Sequence, residues 1–61
     1  MEKYIETISR EKQFEAKFVR NVVKLLGEGA TIPFISRYRK EMTGSMDEVQ
    51  IAEVRDQFDK L

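Results

Sequence analysis

Three cations fall within four residues at Arg37, Arg39 and Lys40, and three more, Lys17, Arg20 and Lys24, recur at i, i+3 and i+7. Basic side chains in such sets neutralise phosphates and release the counterions condensed on a nucleic acid, an attraction independent of base sequence. These six are the candidate nucleic-acid-binding residues of the chain. A second reading fits the same groups, since charge on an outward helical face keeps a bundle in solution. Arg37 can pair with Glu41 at i, i+4, Lys24 can sit near a helix C-terminus, and Arg39 can lie over Tyr38 or hydrogen-bond a neighbouring helix. Both readings remain open at the level of sequence.

Other chemistry finds little to work with. The chain has no cysteine and no histidine, which removes disulfides, thiol chemistry and the usual zinc ligands together. Glu53, Asp56 and Asp59 read as a solvated face of an amphipathic helix rather than an acid–base pair in a pocket. Gly27-Glu28-Gly29 is too short for a phosphate-binding loop and lacks the following Lys-Ser/Thr. No catalytic residue, metal or cofactor is expected.

The charge balance points the same way. Eleven basic residues meet eleven acidic ones, which argues against a dedicated nucleic-acid binder, yet the zero conceals a polarity along the chain. Residues 1–40 hold nine Lys or Arg against five Glu, and residues 41–61 hold two basic residues against six acidic ones. This asymmetry describes either a basic and an acidic surface on one domain or two halves that complement each other in a bundle.

The elements that position these groups are helices. Sixty-one residues allow one domain whose stability is marginal, because so short a chain buries only about 60% of its unfolded surface. The pattern predicts an all-α bundle of about four short helices, helix-turn-helix-like. The first covers Glu2 to about Glu11 with Tyr4, Ile5 and Ile8 on one face. The second runs from about Phe14 to Leu26 and carries an apolar arc of about half its circumference (Phe14, Phe18, Val19, Val22, Val23, Leu25, Leu26), which makes it the central helix. No Gly or Pro separates the two, so the pattern would also allow one long helix. A break near Lys12 to Phe14 is expected because a small bundle needs the first helix to fold back.

Punctuation is denser after Leu26. Gly27 and Gly29 can end the second helix, Thr31 can cap the third through the Phe34 N–H, and Pro33 suits a first turn, where a missing N–H costs nothing. On the third helix Phe34, Ile35, Tyr38 and Met42 share a face, with Ser36, Arg37 and Lys40 turned away and Arg39 at the flank. Tyr38 reads as core rather than as a base-stacking ring. Gly44 ends this segment, and Ser45 with Glu48 reads as a capping box for a fourth helix from about Met46. Ile51, Val54, Phe58 and Leu61 then form a narrow seam. Val49, opposite that seam, packs either under the Met42–Gly44 turn or against something outside the segment. The expected core is Phe18, Val22, Leu26, Ile35, Tyr38, Val54 and Phe58.

The stretch TIPFISRYRKEMTGSMDEVQI resembles the N-terminal region of the Tex family of bacterial transcription accessory proteins. The likeness rests on the RYRKE core at Arg37 to Glu41, the Thr-x-Pro-Phe-Ile entry at Thr31 to Ile35, the Thr43-Gly44 exit and Asp47-Glu48-x-Gln50, with Leu25-Leu26-x-Glu28-Gly29 before them. Residues 22–61 are covered well, and residues 1–21 match as a helical lead-in. The resemblance implies the first part of a large, modular, mainly helical cytoplasmic protein linked to transcription. Such proteins bind nucleic acid and carry a ribonuclease-H-like domain, a helix-hairpin-helix and a C-terminal RNA-binding OB-fold, none of which is in this stretch.

The expected function is therefore that of a non-enzymatic N-terminal module. Its partners would be RNA or DNA, bound without sequence preference and mainly through domains outside this segment, and the remaining domains of the parent chain. The class-different alternative is a structural bundle that docks on its own chain or on the transcription machinery, with the same basic residues facing acidic or carbonyl groups. A regulatory binding module outside the Tex family would require the motif match to be accidental. No run approaches the roughly 18 apolar residues that span a membrane, and MEKYIETISREK lacks the apolar core of a signal peptide. A cytoplasmic setting without membrane contact is expected.

Overall fold

The first helix ends without a glycine. In the computed structural model, which describes residues 2–60, α1 (Glu2–Lys12) closes when Gln13 adopts the left-handed conformation at φ 61°. The Phe14 N–H then bonds back to the Ser9 carbonyl at 3.1 Å, and the Ser9 hydroxyl donates to the Phe14 carbonyl. This six-to-one closure is the loop that normally recruits Gly at the residue after the helix. The chain therefore breaks where a fold-back was expected, and the continuous-helix alternative is set aside. Ile5 and Ile8, one turn apart, are buried by the reversal.

The second helix, α2 (Ala16–Gly27), is the central one, since it touches each of the other four. It buries Val19, Val22 and Leu25 and packs Phe18, Val23 and Leu26, half-buried, around them. Gly29, at φ 94°, supplies the left-handed residue that ends it, and the Ala30 N–H closes onto the Leu25 carbonyl at 3.1 Å. Thr31 caps α3 (Ile32–Tyr38) as expected, its hydroxyl accepting from the Phe34 N–H at 3.3 Å with Pro33 in the first turn.

The third helix does not run through to Gly44. Arg39 leaves the helical region (φ −130°, ψ 37°), and the chain restarts as a single turn, α4 (Lys40–Thr43). Two contacts to α2 accompany the break. The Asn21 amide donates to the Met42 carbonyl at 2.7 Å, while Gly44, left-handed at φ 65°, sits over Phe18 so closely that a Cβ there would lie 2.6 Å from the ring. These two contacts draw the α4 turn inward, and Thr43 becomes 1% exposed.

The cap of the last helix lies two residues later than the sequence suggested. Ser45 is left-handed at φ 67°, and its N–H closes the α4 loop on the Lys40 carbonyl at 2.8 Å. A helix cap needs an extended backbone, so Ser45 cannot open α5 (Glu48–Lys60). Asp47 does so instead. Its Oδ1 accepts from the Gln50 N–H at 2.8 Å and the Gln50 Oε1 accepts from the Asp47 N–H at 3.0 Å, a reciprocal box. Met46 and Ile51, in the positions of a hydrophobic staple around that cap, are both buried.

α5 contributes Ile51 and Val54 to the core, and half-buried Phe58 meets Tyr4 edge-on at 6.5 Å between ring centroids. Leu61, the last position of the expected seam, lies outside the described residues. Lys12 reaches Glu53 at 3.9 Å, joining α1 to α5 and linking the basic and acidic halves of the chain. Of the expected core, Val22, Ile35 and Val54 are fully buried, and Phe18, Leu26 and Phe58 line its edge. Tyr38 is not core at all. At 58% exposed it stands on the surface, because α3 is only seven residues long, buries Ile35 alone, and ends at that tyrosine.

Candidate nucleic-acid interface

On α3, at about 100° per residue, Tyr38 stands about 60° from the buried Ile35, Phe34 about 100° and Arg37 about 160°, all on the same side. The helix therefore carries two rings at the rim of the core and a cation beyond them. Phe34 is 39% exposed, and its ring lies 5.4 Å from that of Tyr38 at an interplanar angle of 46°. The break at Arg39 turns that side chain back over the rings. Its guanidinium donates to the Tyr38 carbonyl at 2.9 Å, and its Cζ stands 4.9 Å from the Phe34 centroid. Arg39 was expected over Tyr38 or bonded to another helix, and it stacks on Phe34 instead.

Arg37 and Lys40 are exposed. The expected Arg37–Glu41 ion pair does not form, because the i, i+4 geometry it requires is interrupted by the break between α3 and α4. Neither Arg37 nor Lys40 has an ion-pair partner among the described residues. Beside Arg39 opens a shallow cleft of about 420 Å³ lined also by Leu25, Glu28, Ala30, Thr31 and Phe34, so one acidic residue shares the cleft with the arginine.

The other basic set occupies the outer face of α2, and all three of its members are exposed. Lys17 lies 3.8 Å from Glu15 and 5.1 Å from the centroid of Phe18. Arg20 has an interaction of its own. Lys24 stands in the last turn of α2, where a cation complements the partial negative charge of the helix end. The six candidates thus divide between a regular helix and a broken one. Phe34 was missed as a surface group because an apolar residue beside Ile35 reads as core. Its signal was the arginine five positions later, on the far side of a short helix.

Val49 is 69% exposed on α5, so it does not pack under the Met42–Gly44 turn. Among the described residues no group of three or more His, Cys, Asp or Glu could hold a metal ion, and no helix is long and apolar enough to cross a membrane.

A family model described as the Tex-like protein N-terminal domain matches residues 2–61. The chain is 49% identical over 53 residues to the uncharacterized protein YdcI of Bacillus subtilis, covering 87% of this chain and 7% of that protein. It is 37% identical over 54 residues to the transcriptional accessory protein Tex of Neisseria gonorrhoeae, covering 88% and 7%. With the human S1 RNA-binding domain-containing protein 1 it shares 32% identity over 57 residues, covering 93% and 6%. The chain thus spans only about 7% of the length of the relatives it resembles. No solved structure matches it significantly.

Proposed function

Because the chain belongs to the family of Tex-like protein N-terminal domains, we propose that it is the N-terminal helical module of a cytoplasmic, Tex-like transcription accessory protein. It adds a weak, sequence-independent contact to RNA or DNA whose main affinity resides in other domains. It has no catalytic role of its own. The observation that carries the reading is the pair Arg37 and Lys40, exposed and without an ion-pair partner among the described residues. Two free cations on neighbouring turns suit phosphate contact, and a chain of zero net charge suits only a minor share of it. The names of two relatives, one a transcriptional accessory protein and one an S1 RNA-binding domain-containing protein, support the setting.

A second reading is favoured by Val49, an apolar side chain uncovered on the outer face of α5. It suits a bundle that docks on the rest of its own chain.

The two readings separate in a titration of single- and double-stranded oligonucleotides against the full-length protein carrying Arg37→Glu and Lys40→Glu. Loss of two phosphate contacts should weaken binding and reduce the salt slope by about two. Unchanged affinity and slope, in a variant that melts like the wild type, would replace the phosphate role by docking. A lowered melting temperature would place both residues at an internal domain contact.

A further inference from the structure

The exposed Tyr38 ring has no role in the core and sits among groups suited to one kind of ligand. Phe34 props it from one side, Arg39 is pinned to its carbonyl, and Arg37 and Lys40 flank it in the chain. Since the guanidinium of Arg39 already lies over the Phe34 ring, Tyr38 is the more open of the two rings. We propose that Tyr38, braced by Phe34 and Arg39, is a stacking platform for an unpaired base of a single-stranded nucleic acid, with Arg37 and Lys40 on the adjacent phosphates. This deepens the proposed function and rests on its phosphate reading.

Charge complementarity selects the occupant. A protein partner would favour the aromatic rings and the arginines, but the centres of protein interfaces are depleted of lysine and other charges. Here two cations without an ion-pair partner among the described residues lie within two residues of the exposed ring. The carboxylates nearby are Glu28, which lines the cleft beside Arg39, Glu41 next to Lys40, and Asp47 and Glu48, which line a second shallow cleft with Lys40, and none of them pairs with Arg37 or Lys40. Rings combined with a basic groove bind single strands in a sequence-tolerant way, because every base has a π-face. A duplex offers phosphates but keeps its base faces stacked, so the platform discriminates between strand forms where Arg37 and Lys40 alone do not.

The 61-residue segment by itself has no tryptophan and two tyrosines, so once its helical circular dichroism and cooperative melting show that a Tyr4→Phe version of it folds, Tyr38 is its sole strong fluorophore. Titrated at low salt, a short oligouridylate should quench Tyr38 emission, whereas inorganic polyphosphate should bind without quenching. Tyr38→Ala should weaken the oligouridylate about tenfold and Tyr38→Phe less than twofold, with polyphosphate binding unchanged in both. Bound oligouridylate without quenching, or wild-type affinity in Tyr38→Ala, overturns the platform while leaving the phosphate reading intact. If Arg37→Glu with Lys40→Glu leaves polyphosphate binding unchanged, the phosphate reading itself fails. Photocrosslinking of 5-iodouridine strands to the full-length protein covers an affinity that needs other domains. Adducts at Tyr38 support the platform, and adducts confined to other regions overturn it. A Tyr38→Ala variant that binds normally but melts lower in the full-length protein identifies the ring as a docking contact instead.

Discussion

The two basic sets are built from the same residue types, yet the helices beneath them make them different surfaces. On α2, twelve residues of regular helix carry three buried apolar side chains, and the cations are spread along the opposite face, with Lys17 beside Glu15 and Lys24 at the C-terminal end. At the α3–α4 joint three cations crowd into four residues, two of them unpaired, beside two exposed rings. A regular helix distributes charge at its own period. A broken one lets aromatic groups out of the core beside charge that the sequence has already crowded together.

If the joint is held open by α2, the largest effect should come from Gly44→Ala. The left-handed backbone costs about 1–2 kcal/mol for a residue with a Cβ, and the clash with Phe18 adds about 1–3 kcal/mol of overpacking. Chemical denaturation should show the sum, and a Phe18→Leu background should return the second part. An equal loss in both backgrounds would remove Phe18 from the account.

Next in size is the cap. Asp47→Ala should cost about 1 kcal/mol, whereas Ser45→Ala should be close to neutral, a contrast readable in thermal melts. The reverse order would restore Ser45 as the start of α5. Asn21→Ala, which removes the amide held by the Met42 carbonyl, should also cost about 1 kcal/mol. It should in addition raise amide exchange in residues 40–44, and uniform exchange across the chain would dissolve the link between α2 and the joint.

Away from both regions, Gln13→Gly should stabilise by up to about 1 kcal/mol, since the left-handed turn that ends α1 then carries no Cβ. The smallest effects belong to the α2 stripe. Lys17→Gln with Lys24→Gln should move stability by less than about 0.5 kcal/mol, because exposed pairs contribute little. Their effect on oligonucleotide affinity should fall below that of Arg37→Glu with Lys40→Glu. A larger effect would shift the candidate interface to α2.

Much of the helical frame is legible in the residues. The Thr31 cap with Pro33, the apolar arc of α2 and the Gly44 stop are set by groups within a turn of one another, where spacing alone decides the outcome. The fold-back after α1 was readable only as a requirement of a bundle and from the two-helix look of the family lead-in, because Gln13 stands where a glycine would have announced the turn. The reading of Ser45 as a cap failed for a related reason. Ser45 and Asp47 both precede a suitable partner three residues on, and local rules do not rank them.

What the sequence determined by itself was an all-α bundle, a family resemblance and which residue types could meet phosphate. The tertiary structure decided how those residues are presented. Asn21 and Phe18, more than twenty residues away along the chain, hold the Met42–Gly44 turn against α2, next to the point where the third helix breaks at Arg39. That break separates Arg37 from Glu41, turns Arg39 over Phe34 and leaves Tyr38 at a helix end, more than half exposed. Periodicity carries no information about such contacts, because their energy depends on two distant segments meeting, and only the packed chain brings them together.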